Sequence, residues 1–205
     1  MAPATRQVAL FGGSFNPPHV GHLLAAAYVR AVAPVDVVLL MPAFLHPFGK
    51  KLAPFEDRLA LCAALASQLS GVEVTDVESR VADGGRTIRT VEYLRSEYPH
   101  DRYSLVVGAD IVSEWHRWFE FERLATLARP IVIGRMGYTP TAPTTGPLAG
   151  ALFLWDVPMP AVSSTDVRNR LAKGSPVEHL VPRAVLHEVR ARGLYGTGAG
   201  RPEGT

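Results

Sequence analysis

The chain has 205 residues, 47% apolar and 20% charged, with a formal charge of +2 at pH 7. That length and mixture suit one globular domain with room for a sizeable core, and so small a charge gives no case for a nucleic-acid partner. No run approaches the ~18 apolar residues of a membrane span, and Met1–Arg6 lack the apolar stretch of a secretory signal, so a soluble cytoplasmic protein is expected.

The apolar run Val8–Phe11 reads as a strand leading into Gly12-Gly13. Past Pro17 and Pro18 a helical pattern begins near Val20, with Leu23, Leu24, Ala27, Tyr28 and Ala31 on its inner side. Val35–Met41 is continuously apolar, as in a parallel strand covered on both faces. A loop rich in Pro, His and Lys follows, from Pro42 to Pro54. The next helix, about Phe55 to Leu69, carries the lone cysteine, Cys62, in step with Leu61, Leu65 and Leu69. A buried structural thiol is expected there rather than a nucleophile.

Val72–Thr75 reads as a short strand, and Thr87–Tyr98 as a helix stopped by Pro99. Tyr103–Val107 and Pro130–Ile133 read as strands with helical sequence between them. Met136–Gly150 is a long loop, Ala151–Trp155 a last strand, and Pro182 and Gly193 bracket a final helix. We expect one domain over residues 1–195 and a disordered Gly-rich tail at 196–205. The β-α-β-α order, free of internal repeats, points to an α/β fold with a doubly wound parallel sheet and ligands at the strands' carboxyl ends.

Chemistry concentrates first in Gly12-Gly13-Ser14-Phe15-Asn16-Pro17-Pro18-His19-Val20-Gly21-His22. A strand runs into a glycine turn and then a helix start, where backbone N–H groups and the helix dipole seat phosphate. His19 and His22, three apart, face the same way on a first helical turn and suit a polyphosphate whose charge grows during reaction. The second segment is Ser163-Ser164-Thr165-Asp166-Val167-Arg168. Ser163 and Asp166 have capping-box spacing, while Ser164, Thr165 and Arg168 bring hydroxyls, backbone donors and a guanidinium to one helix start.

Gly108-Ala109-Asp110 ends a predicted strand, where Asp110 can serve simply as a helix cap. Trp115 reads as core and Trp118 as core or ligand contact. Lys50 and Lys51 read as a solvated pair, with His46 and Lys50 open as phosphate contacts. There is no Gly-x4-Gly-Lys-Ser/Thr loop, no dinucleotide fingerprint in the tail glycines, and no zinc spacing among the histidines.

The first segment resembles the His-x-Gly-His signature of the nucleotidylyltransferase superfamily, and its lead-in is similar to that of bacterial nicotinate-nucleotide adenylyltransferases. The second resembles that family's Ser-Ser-Thr-x-x-Arg motif, in the right order and about 140 residues further on. The resemblance runs from about residue 6 to Tyr195 and is loosest between 42 and 90. It implies a Rossmann-like nucleotidylyltransferase fold, with His19, His22 and Arg168 catalytic. It assigns Gly12, Gly13, Ser14, Phe15, Gly21, Gly108, Asp110, Ser164 and Thr165 to ATP. It assigns Thr87, Arg86, Trp118 and Lys50 to the mononucleotide, with Trp118 stacking on the pyridine ring.

Three departures stand out. Gly85-Arg86-Thr87 replaces the family's Ser-Tyr-Thr, the run around Lys50 is shifted in register, and Met136 after Arg135 replaces a proline. The implied reaction is adenylyl transfer from ATP to nicotinic acid mononucleotide in NAD synthesis. Its nucleophile is an ionised phosphate, so alignment and charge stabilisation suffice. Mg²⁺ is expected through the ATP phosphates, with no dedicated protein metal site. Transfer to nicotinamide mononucleotide or phosphopantetheine, and an ATP-binding module without turnover, stay open, as does a homo-oligomer.

Overall fold

The first strand, β1 (Gln7–Gly13), has core on both faces: Val8 and Leu10 point into one apolar cluster, Ala9 and Phe11 into the other. In the computed structural model, which describes residues 4–45, 52–81, 86–138 and 141–197, β1 is joined by β2 (Val37–Pro42), β3 (Val72–Val74), β4 (Arg102–Gly108), β5 (Arg129–Arg135) and β6 (Leu152–Met159). They form one six-stranded sheet in the order β3-β2-β1-β4-β5-β6, every pairing parallel. The order reverses between β1 and β4, so the crevice of this doubly wound α/β sheet opens at their carboxyl ends.

The helices are α1 (Val20–Val32), α2 (Phe55–Ala66), α3 (Thr87–Glu97), α4 (Ile111–Glu114), α5 (Phe121–Leu127), α6 (Ser164–Ala172) and α7 (Arg183–Ala191). Residues of α1, α2, α6 and α7 share one core cluster, and those of α3 and α5 share the other. Cys62 is buried in the first, where desolvation pushes its thiol pKa up, as expected of a structural thiol. Among the described residues no helix is long and apolar enough to cross a membrane.

The inner face of α1 differs from the predicted stripe. Gly21, Ala25, Ala26 and Val29 are buried, whereas Leu24 is 48% exposed and Ala31 also faces out. Leu23 and Tyr28 are only partly buried at the margin of the core. Small residues at the contact let the helix lie close to the sheet, which brings its first turn over the crevice. Two boundaries also move: α2 ends at Ala66 rather than Leu69, and β6 continues past Trp155 to Met159.

Strand β5 carries the irregularity that shapes the crevice edge. Its register with β6 shifts between Ile133 and Arg135. There a Cβ on Gly134 would fall 2.6 Å from the Trp155 carbonyl oxygen, so only glycine fits. Just beyond it, Arg135 lines the crevice.

Candidate active site

Two cavities meet at the carboxyl ends of β1 and β4. One, of about 270 Å³, is lined by His19, Gly21 and His22 from the start of α1, by Ile133, Gly134 and Arg135 from β5, and by Met159, Pro160 and Val162. The other, of about 320 Å³, is lined by Gly12, Val106, Val107, Ile111, Glu114, Arg117 and Trp118. Phe11, Gly108 and Asp110 belong to both, making one cleft of two lobes divided by those three residues.

In the histidine lobe, His19 is the N-cap of α1 and is 7% exposed. Its backbone N–H donates to His22 Nδ1 at 3.1 Å. Since Nδ1 accepts, the neutral His22 ring carries its proton on Nε2. The two imidazoles lie 3.8 Å apart between centroids, tilted by 32°. Gly21 permits this packing, since a Cβ there would come within 3.1 Å of the His19 ring. Burial first, and Arg135 second, lower the pKa of His19 to about 4. Burial, then His19, hold that of His22 well below its usual value. Both are neutral donors at pH 7. Phe15 supplies part of that burial, its ring centroid 4.9 Å from that of His22. His19 Nδ1 is buried without a hydrogen-bond partner.

The expected glycine turn takes a different form. Gly12 and Gly13 remain in β1, and the left-handed residue is Phe15, fully buried at φ 45°. The chain can place a non-glycine there because the loop at 14–17 is gripped from several sides. Ser164 Oγ donates to the Pro17 carbonyl at 2.8 Å, and Arg168 Nη1 to that of Asn16 at 2.7 Å. Arg58 Nη1 donates to the Ser14 carbonyl at 3.1 Å, and Asn16 Oδ1 accepts from Tyr195 Oη at 2.9 Å.

The second segment therefore closes on the first. Ser163 Oγ accepts from the Asp166 N–H at 3.1 Å, so the capping role is real. Ser164, Thr165 and Arg168 line neither lobe. The Ser164 proton is spent on Pro17, and Arg168 Nη2 donates to Thr165 Oγ1 at 3.2 Å. With the Asp166 N–H taken by Ser163, what α6 offers an anion is the backbone N–H groups of Ser164 and Thr165, which have no partner within the helix.

Asp110 makes no side-chain cap; instead its carboxylate lies 3.4 Å from Arg135 Nη1. A Cβ on residue 108 would crowd Asp110 Oδ1, so a larger residue there would push that carboxylate aside. Trp118 is 37% exposed, edge-on to Phe121 at 5.8 Å, and lines the second lobe. Trp115 packs on Phe121 at the margin of the core, as expected. Arg86, the N-cap of α3, lies with its Cζ 4.0 Å from the centre of the Phe119 ring, beside Trp118. Arg86 and Thr87 line neither of the two lobes. His46, Lys50 and Lys51 fall outside the described residues, as do 82–85 and 198–205.

Sequence reading missed Phe11 as the shared wall and Arg58 and Tyr195 behind the loop. A signal for Arg58 existed: it is a cation on the same helix face as Leu61, Cys62 and Leu65, all buried. Tyr195 carries none, because its partner is 179 positions away.

Comparisons agree with this geometry. The Cytidylyltransferase-like family model matches residues 10–170. A probable nicotinate-nucleotide adenylyltransferase of Anaeromyxobacter sp. (strain K) is 48% identical over 93% of this chain and 97% of that one. Its counterpart in Myxococcus xanthus (strain DK1622) is 44% identical over 96% and 97%. In fold the chain is similar to the Plasmodium falciparum nicotinic acid mononucleotide adenylyltransferase complexed with NaAD, with a TM-score of 0.77, 16% identity, and coverage of 94% of this chain and 98% of that one. With the Ser163–Arg168 segment clasping the loop after β1 and near-complete overlap with such relatives, this chain belongs to the nicotinate-nucleotide adenylyltransferase family.

Proposed function

We propose that the protein transfers the adenylyl group of ATP to nicotinic acid mononucleotide, giving nicotinic acid adenine dinucleotide and pyrophosphate. The observation that carries this reading is the cleft itself: a lobe with two neutral imidazole donors joined, across Phe11, Gly108 and Asp110, to a lobe bearing an indole. ATP would occupy the histidine lobe and the mononucleotide the lobe of Trp118. A phosphate oxygen of the mononucleotide attacks the α-phosphorus, and the bond to the bridging oxygen of pyrophosphate breaks, that oxygen keeping the electron pair.

The attacking oxygen is already ionised, so no protein base is needed. His22, with its proton on Nε2, and His19 would donate to oxygens that gain charge at the transition state. Gly12, Gly13, Ser14, Phe15 and Gly21 shape the phosphate seat, Gly108 and Asp110 lie on the ribose and adenine side, and Ser164, Thr165 and Arg168 close it from α6. Thr87, Arg86 and Lys50 complete the acceptor side. Mg²⁺ would arrive on the ATP phosphates, where it neutralises their charge. Asp110, on the ribose and adenine side and 3.4 Å from Arg135 Nη1, is not assigned to the ion, since phosphate oxygens and water are a donor set Mg²⁺ accepts. We place the enzyme in the cytoplasm, where its ATP is supplied.

The test is pyrophosphate release by the purified protein with ATP, Mg²⁺ and a panel of phosphorylated acceptors. Pyrophosphate and dinucleotide should appear one for one, fastest with nicotinic acid mononucleotide. Preference for the amide mononucleotide or phosphopantetheine, or ATP binding with no pyrophosphate from any acceptor, would overturn the reading.

A further inference from the structure

Behind the loop at 14–17 lies a polar cluster that the reaction does not use. Arg58 is 1% exposed, yet its partners are carbonyl oxygens rather than a carboxylate: Ala53 at 2.9 Å from Nε and Ser14 at 3.1 Å from Nη1. Asn16 is 2% exposed, and its Oδ1 accepts twice, from the Ala53 N–H at 3.1 Å and from Tyr195 Oη at 2.9 Å. Tyr195 itself is held in the left-handed region at φ 56° and ψ 29°. Non-glycine residues stay there only where their surroundings hold them. The C-terminal segment is fastened beside it, Arg192 pairing with Asp57 of α2 at 2.9 Å.

Stability alone does not account for this arrangement. A guanidinium taken out of water is costly, and an aliphatic side chain in line with Leu61, Cys62 and Leu65 would pack without that cost. Arg58 and Tyr195 reach the Ser14 carbonyl and the Asn16 side chain, the loop positions on either side of Phe15, and Ala53 is tied in by both Arg58 and Asn16. Burial raises the pKa of the Tyr195 phenol, so it remains a donor at working pH.

We propose that Arg58 and Tyr195 are positioning residues, which act through Ser14 and Asn16 to hold the 14–17 loop in the shape that meets the phosphates of ATP. The proposal rests on the reading of that loop as a phosphate seat. Since the loop's shape matters most where charge is greatest, distortion lowers kcat more than it raises the KM for ATP.

The experiment compares Tyr195→Phe, Arg58→Met and Arg58→Lys with the unaltered protein in kcat, ATP KM, Tm and hydrogen exchange of the peptide spanning residues 10–23. Tyr195→Phe removes one neutral hydrogen bond and should lower kcat about fivefold with ATP KM within about twofold. Arg58→Met should lower kcat about tenfold or more, Arg58→Lys should recover part of that loss, and exchange in the loop should quicken in Tyr195→Phe and Arg58→Met. A fall in Tm with kcat and loop exchange unchanged would overturn the proposal. If the unaltered protein releases no pyrophosphate, loop exchange still decides. A loosened loop would sustain the positioning role and remove the phosphate reading, and an unchanged loop would remove the positioning role.

Discussion

The two lobes are built in opposite ways. The phosphate side is assembled from distant parts of the chain: Ser164, Arg168 and Tyr195 reach the loop across 147, 152 and 179 positions. Around Trp118 the side-chain contacts are shorter in range: Trp118 leans on Phe121 three residues on, Glu114 pairs with Arg117, and the longest reach is that of Arg86 to Phe119. Long-range clasps fix a loop against small rearrangements, while a short exposed segment can change without disturbing the rest. On the proposed reading, one lobe serves the chemistry common to every acceptor, and the other the choice among them.

The largest expected effect lies in the clasped lobe. His22→Ala should lower kcat by ~10²–10³, the usual cost of one transition-state donor, with little change in the KM for ATP. Steady-state kinetics decide this. Near-normal kcat with a raised KM would make His22 a binding residue and erase the contrast between lobes.

Next is the pH dependence of stability. His19 is neutral in the fold, with a pKa lowered to about 4 by burial and by Arg135, whereas the unfolded chain protonates near 6.5. Between those values the unfolded state binds more protons, so stability is complete above the upper value and falls as pH drops toward the lower. The slope is roughly 1.4 kcal/mol per pH unit, or about 3 kcal/mol over the window. His22, also held neutral by burial, adds a slope of its own, so urea midpoints measured across the window should show a smaller slope in His19→Asn than in the unaltered protein, by about 1.4 kcal/mol per pH unit. The same slope in both would assign it elsewhere.

Arg168→Ala should cost about tenfold to a hundredfold in kcat/KM, through lost contact with phosphate and release of the Asn16 carbonyl. Arg168→Lys should recover little, because a point charge cannot hold Asn16 and Thr165 together. Unchanged kinetics with a lower Tm would reduce Ser163–Arg168 to a helix cap. The smallest effect is expected around Trp118. Arg86 is exposed and stacked on Phe119, so Arg86→Ala should shift the acid-to-amide ratio of kcat/KM by less than about fivefold. A drop of tenfold or more would show that its guanidinium reads the pyridine carboxylate.

Much of the phosphate side was legible because its chemistry lies in contiguous residues. Gly12 to His22 and Ser163 to Arg168 each carry their spacing with them, and strand-helix alternation places both at one sheet edge. What could not be read was how they meet. Nothing local says that the Ser164 proton goes to Pro17, or that the left-handed residue is Phe15 rather than a glycine. Those outcomes rest on residues that meet across long stretches of chain, Ser164, Arg168 and Tyr195 from one end and Arg58 from α2. The face of α1 was misjudged for a related reason: apolar size suggested Leu24, but close approach selected Gly21 and Ala25. Trp118, expected from a motif, does line the second lobe, while Arg86, at a departure from that motif, lines neither.

The most direct measurement is a crystal structure of the protein with nicotinic acid adenine dinucleotide. The pyridine ring should lie against Trp118, the adenylyl phosphate within reach of His22 Nε2, and the chain of the ligand should cross from lobe to lobe over Phe11 and Gly108. A dinucleotide lying wholly in one lobe, or with its pyridine ring away from Trp118, would contradict the division of labour between them.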